Sequence, residues 1–169
     1  MPGQNKTLED LFKENLKDIY YAERKILVAL PKMAKAVRSE QLREAFQKHL
    51  AETETQVQRL QHVFQLLKQP AKGKMCPAIL GLIEEGDEVM EDFKDSTALD
   101  AGLLGGAQAV EHYEIARYGT LVAWAEQLGM TEAARLLEET LEEEKATDAA
   151  LSKLAEAAIN ESGTARAAE

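Results

Sequence analysis

Apolar residues recur at spacings of three and four along most of this chain, which keeps them on one face of a helix. In the first segment the stripe reads Leu8, Leu11, Phe12, Leu16, Ile19, Glu23, Ile26, Leu30, Met33 and Val37. Thr7, with Asp10 three residues on, opens it as a weak capping box. Pro31 falls inside the pattern and predicts a kink or a tightened turn. A second stripe begins behind a Ser39 cap and runs to about Lys68: Leu42, Phe46, His49, Glu52, Gln56, Leu60, Val63 and Leu67. The run from Gln69 to Pro77, with two prolines and a glycine, is the clearest break in the chain.

A shorter third helix is expected from about Pro77 to Phe93, with Ile79, Leu82, Ile83, Val89, Met90 and Phe93 as its apolar set. Asp95-Ser-Thr reads as a turn and cap. The fourth helix is expected from Ala98 to Leu128, its stripe passing through Leu103, Leu104, Ala107, Glu111, Glu114, Tyr118, Leu121 and Ala125. Gly129 is a natural stop and Thr131 a natural restart. The fifth carries Ala133, Leu136, Leu137, Leu141, Glu144, Asp148, Leu151, Leu154 and Ala158. No strand pattern occurs. The pattern predicts an all-α four-helix bundle of two antiparallel hairpins joined by a short connecting helix. One domain over residues 1–169 is expected, with 1–6 and 160–169 flexible.

Composition narrows the class of protein. The 169 residues are 45% apolar and 30% charged, enough to bury a substantial core. A single cysteine, Cys76, rules out an internal disulfide and a paired-cysteine metal ribbon. The net charge of -10 argues against nucleic acid as a partner. No apolar run approaches the roughly 20 residues of a membrane span, and no secretory signal precedes the first helix. A cytoplasmic protein with no membrane partner is expected.

The chemistry lies in the interruptions of the stripes. Glu23, then His49, Glu52 and Gln56, then Glu111 and Glu114, then Glu144 and Asp148 stand where leucine is usual. A lone buried carboxylate costs several kcal/mol, so such groups are paired, protonated or bound to metal. Glu23 and Glu52 lie 29 residues apart, and Glu114 and Glu144 lie 30 apart. In two antiparallel hairpins those near-equal separations bring one carboxylate per helix to a similar height. Two cations about 3.5–4 Å apart need several anionic oxygens to offset their repulsion. Six carboxylates and one core-facing histidine suit iron or manganese better than a structural zinc. A metal-free hydrogen-bond network of the same side chains is the alternative. Glu142 and Glu143 read as a solvated face, Glu114 and Asp148 as either ligands or their supports, and His112 as an outer or interface residue.

Several phrases resemble one family. Asp18-x-Tyr20-x-Ala22-Glu23, His49-x-x-Glu52-Thr53-x-x-Gln56, Gly81-Leu-Ile-Glu-Glu-Gly86 and Glu111-His-Tyr-Glu114-x-Ala116-x-Tyr118-Gly119-Thr120 are similar to the YciE/YciF ferritin-like stress proteins, as is Leu141-Glu-Glu-Glu-Lys-Ala-Thr-Asp148. The resemblance spans about Thr7 to Ile159. It implies a ferritin-like bundle, commonly a homodimer, induced under stress. The more distant rubrerythrins share the Glu-x-x-Glu of Glu111 and Glu114. They place a histidine where Thr55 stands here and pair their last glutamate with a histidine, whereas Glu144 is followed by Asp148. Those departures count against a rubrerythrin-type peroxidase.

The expected function is therefore a stress protein with two Fe or two Mn ions per chain. They would be held by Glu23, Glu52, Glu111, Glu144, His49, Glu114, Asp148 and Gln56, and would act on peroxide or oxidise Fe(II). A non-catalytic protein whose buried acids fix helix register is the rival expectation.

Overall fold

The computed structural model describes residues 5–164. Residues 1–4 and 165–169, parts of the termini expected to be flexible, lie outside the described residues. Five long helices carry the fold: α1 Leu8–Ala36, α2 Glu40–Leu66, α3 Pro77–Asp92, α4 Leu99–Gln127 and α5 Thr131–Leu154. There is no strand among the described residues. After α5 a π-helical turn, Ala155–Ile159, leads into a short α6, Asn160–Thr164, where the composition predicts fraying.

Local chemistry sets most of the boundaries. Thr7 Oγ1 accepts from the Asp10 amide at 3.2 Å and Asp10 Oδ2 accepts from the Thr7 amide at 2.9 Å, closing the capping box. Ser39 Oγ accepts from the Leu42 amide at 3.3 Å at the start of α2. The helix of α1 runs continuously through Pro31, where a kink or tightened turn is expected. The ring faces solvent there, and only the Leu27 carbonyl loses its helical donor. Gly129 takes φ 71 at the end of α4, and the Met130 amide reaches back to the Ala125 carbonyl at 2.8 Å. The same stop at the end of α2 uses Lys68, at φ 54. Thr131 is the first residue of α5, not its cap: that position falls to Met130, which makes no side-chain capping bond.

Hydrogen bonds between helices give their directions. Gln61 on α2 donates to Tyr20 on α1, while Arg43 donates to the Ala34 and Val37 carbonyls. Gln56 pairs with Glu143, and Arg59 with Thr140, across α2 and α5. Arg117 on α4 donates to Asn15 on α1, while Asp100 accepts from the Arg38 and Ser39 amides. Gln108 on α4 donates to Asp148 and Ser152 on α5. In the α1–α2, α2–α5 and α1–α4 pairs the number on one helix falls as the number on the other rises, and His112 facing Asp148 where Gln108 faces Ser152 gives the same for α4 and α5, so these four helices run antiparallel to their partners. The Asp100 carboxylate ties the turn between α1 and α2 to the first turn of α4, a link the stripe pattern does not reveal.

The core is the seam where α1, α2, α4 and α5 meet, filled by Phe12, Leu16, Phe46, Leu60, Leu103 and Leu137 among others. The connector α3 lies against α4 and α1 as an outer layer. It buries Ile79 fully, leaves Leu82, Ile83, Val89 and Met90 half-buried, and exposes Phe93. It approaches α4 closely at Gly102, where a Cβ would stand 2.7 Å from Val89 Cγ1. No described helix is long and apolar enough to cross a membrane.

Candidate metal centre

Five buried polar side chains converge in the middle of this seam. Glu23 comes from α1, His49 from α2, Glu111 and Glu114 from α4, and Glu144 from α5, with relative exposures of 0%, 3%, 1%, 0% and 0%. One donor atom from each of His49, Glu111, Glu114 and Glu144 lies within 4.8 Å of the others. Glu23 meets the cluster at the Glu114 carboxyl, and the Tyr118 hydroxyl donates to Glu23 Oε1. His49 Nε2 stands 3.2 Å from Glu111 Oε1, without the alignment of a hydrogen bond.

The cluster lacks donors. Both oxygens of Glu114 and of Glu144, Glu23 Oε2, Glu111 Oε2, both His49 ring nitrogens and Gln56 Oε1 are buried with no hydrogen-bond partner. Among the described residues no lysine or arginine pairs with these four glutamates. Burial and mutual repulsion therefore drive them towards the protonated form. Loss of water raises Glu23, and the charge of Glu144 raises it further. Glu114 rises for the same reason, with Glu23, Glu144 and Glu111 adding to burial. Burial pushes Glu111 up to about 7 and Glu144 up to about 10. His49 is lowered to about 4 by burial, then by Lys48, so its ring is neutral at physiological pH.

The remaining expected ligands stand around this cluster rather than in it. Glu52 is half-buried at the α2–α5 edge, where Lys48 pairs with it at 2.6 Å and Thr147 donates to it at 3.4 Å. It is close enough for its charge to raise Glu111 and Glu144. Gln56 is buried but turns its amide nitrogen to Glu143 at 3.1 Å. Asp148 is half-buried and faces Gln108 at 3.1 Å and His112 at 3.2 Å. His112 is exposed, as its helical phase predicts.

Three residues of this region escape the stripe reading. Arg59 packs between α2 and α5, donating to both oxygens of Glu143 at 2.9 Å and to Thr140 at 2.7 Å. Glu143 is half-buried rather than part of a solvated face. Partial burial raises its carboxyl, but Arg59 and Gln56 outweigh that and hold it below the usual range. Two neighbours in sequence are thus pushed in opposite directions: Glu143 has a cation and Glu144 has none. Thr140 is buried beside them, and in sequence it carries no signal because threonine is tolerated on an apolar face. Arg59 stands seven residues after Glu52 on the same edge of α2, a spacing that would have exposed it.

Fold and cluster together define an all-helical protein with a buried centre of carboxylates and one imidazole. The chain belongs to the family described as a domain of unknown function, DUF892, which it matches over residues 7–164. It is 50% identical to the protein YciF of Escherichia coli K12 over 151 residues, 89% of this chain and 91% of that one. The crystal structure of the Escherichia coli stress protein YciF matches with a TM-score of 0.87 at 49% identity, covering 92% of this chain and 98% of that one. YcfI of Rhodopseudomonas palustris, provisionally described as a structural protein, matches with a TM-score of 0.86 at 49% identity, covering 90% and 97%. The resemblance carried by the sequence phrases is thereby borne out.

Proposed function

We propose that this chain is a ferritin-like four-helix bundle whose buried cluster holds two iron or manganese ions and acts on peroxide, or oxidises Fe(II), during stress. The observation that carries the reading is the set of unpartnered oxygens and nitrogens in a water-poor core, since as carboxylates these acids find no cation or other donor for those atoms in the fold. Ionised, Glu23, Glu111, Glu114 and Glu144 would carry the charge that two divalent ions balance. His49, already neutral, offers a ring nitrogen with no proton to lose. The donor set therefore fits such ions, with Glu52 at its margin, held by Lys48 and Thr147.

Bound iron or manganese would supply the change of oxidation state that carboxylates and imidazole cannot. The protein's own part is to position. Tyr118 fixes the orientation of Glu23 from α4. Phe46, Leu103 and Leu137 lie in the same buried core and limit water there. Arg59 holds Glu143 away from the cluster, so the acid next to Glu144 does not add its oxygens to the site. A cytoplasmic location, a homodimer and a role in stress belong to the same reading, the last supported by the kinship to YciF.

A second reading keeps the cluster metal-free. As acids, Glu23 with Glu114 and Glu111 with Glu144 can share protons across each pair, and their raised proton affinities favour this. The provisional description of YcfI as structural points the same way. Thermal unfolding before and after exhaustive chelation separates the two. A metal-holding core loses melting temperature on chelation and regains it on reloading, because the ion binds only the folded chain. An unchanged melting temperature would establish the metal-free network.

A further inference from the structure

A cavity adjoins the cluster between α1, α3 and α4, on helices away from the charged Glu52–Arg59–Glu143 edge. Its interior offers about 30 Å³ to the centre of a water molecule, room for roughly two molecules of that size. Its inner wall includes His49 and Glu111 of the cluster. Its outer wall includes the half-buried Met33, Leu82 and Met90, with exposed Asp87 beside them. Between Asp87 on the outer wall and Glu111 at the cluster, the lining carries no other charged side chain.

Two glycines line it from facing helices, Gly86 on α3 and Gly106 on α4. At each, a Cβ would meet nothing within 4 Å. Glycine inside a helix costs about 0.5–1 kcal/mol relative to alanine. Neither position needs glycine for clearance, so what both provide is open space.

We propose that this cavity is the path by which dioxygen reaches the cluster. The inference rests on the metal-centre reading and takes its Fe(II)-oxidising arm, with dioxygen as the oxidant. A metal cation or a charged reductant would lose its hydration along an apolar wall without compensation, and hydrogen peroxide would lose hydrogen bonds that methionine and leucine cannot replace. Dioxygen is small, uncharged and apolar, and gives up nothing there.

The test uses the full chain, metal-free, under dissolved dioxygen, whose paramagnetism speeds the relaxation of protons it approaches. The proposal expects faster relaxation of the Met33 and Met90 methyls and of the His49 ring protons than of the Phe12 ring in the closed core. Gly106→Leu should abolish the effect at His49, and Gly86→Leu should do the same from the opposite wall should the first variant fold poorly. Gly105→Leu, on the exposed side of α4, should leave it intact. His49 relaxing no faster than Phe12, or an effect unchanged in a folded blocking variant, would overturn the proposal. The readout needs no bound metal, so failure of the metal-centre reading shows separately, as a chain that takes up no stoichiometric iron or manganese.

Discussion

The metal-free protein should lose stability as pH rises from 6.5 to 8.5. Glu144 carries the clearest part of the effect. Its folded value is raised to about 10, whereas an unfolded glutamate titrates near 4.5. A group raised on folding contributes stability that is full below its unfolded value and is lost as pH climbs to the folded one. Across the window the unfolded chain has released this proton and the folded chain still holds it. Two pH units then correspond to roughly 3 kcal/mol lost from Glu144 alone. For a chain of this size that is about 6–12 °C in melting temperature. Glu23 and Glu114, also raised, act in the same direction. His49 opposes them only at lower pH, because a lowered histidine costs stability between its unfolded value near 6.5 and its folded value of about 4. Bound metal should reverse the slope, since ligands must be deprotonated to bind it. Scanning calorimetry of chelator-stripped and reloaded protein at several pH values measures both. A stripped protein equally stable at pH 6.5 and 8.5 would refute the reasoning, because its acids would then be ionised and neutralised within the fold.

Three substitutions test individual contacts. Tyr118→Phe leaves Glu23 Oε1 without its donor and should destabilise the metal-free protein by about 1–3 kcal/mol in urea titrations. Arg59→Ala removes the two-pronged pair with Glu143 and the bond to Thr140; because Glu143 keeps some solvent, a loss of about 1–2 kcal/mol is expected. Gly102→Ala places its Cβ against Val89 Cγ1 and should cost about 1 kcal/mol, recovered when Val89→Ala is added; a double-mutant cycle reads the coupling.

Helical phase carried much of the architecture and the centre of the site. Glu23, His49, Glu111, Glu114 and Glu144 were placed on buried faces because each stands mid-stripe among residues that are buried. Glu52 shows where phase runs short. On α2 the buried face is centred between His49 and Thr53, and at about 100° per residue Glu52 falls towards one edge of it. That edge meets α5, so Glu52, Gln56 and Arg59 face Thr147, Glu143 and Thr140. Asp148 has core phase but lies one turn beyond Glu144, where Gln108 and the exposed His112 draw it outward. A stripe gives direction around one helix. It does not say which edge meets which neighbour, and the Arg59–Glu143 pair depends on that meeting. The tie from Asp100 to the α1–α2 turn escaped for the same reason, since it joins residues about sixty positions apart.

Whether the buried acids hold metal decides between the two readings of the core. Elemental analysis of untagged protein, reloaded with Fe(II) and separately with Mn(II) and freed of excess, tests it most directly. A metal-holding core should bind about two ions per chain, with the stoichiometry lost in Glu114→Gln and Glu144→Gln while the helical spectrum is retained. Glu52→Ala should weaken binding less than either, given its place at the margin. No stoichiometric iron or manganese in the folded wild-type chain would contradict it, and the four glutamates would then have to be held as protonated pairs.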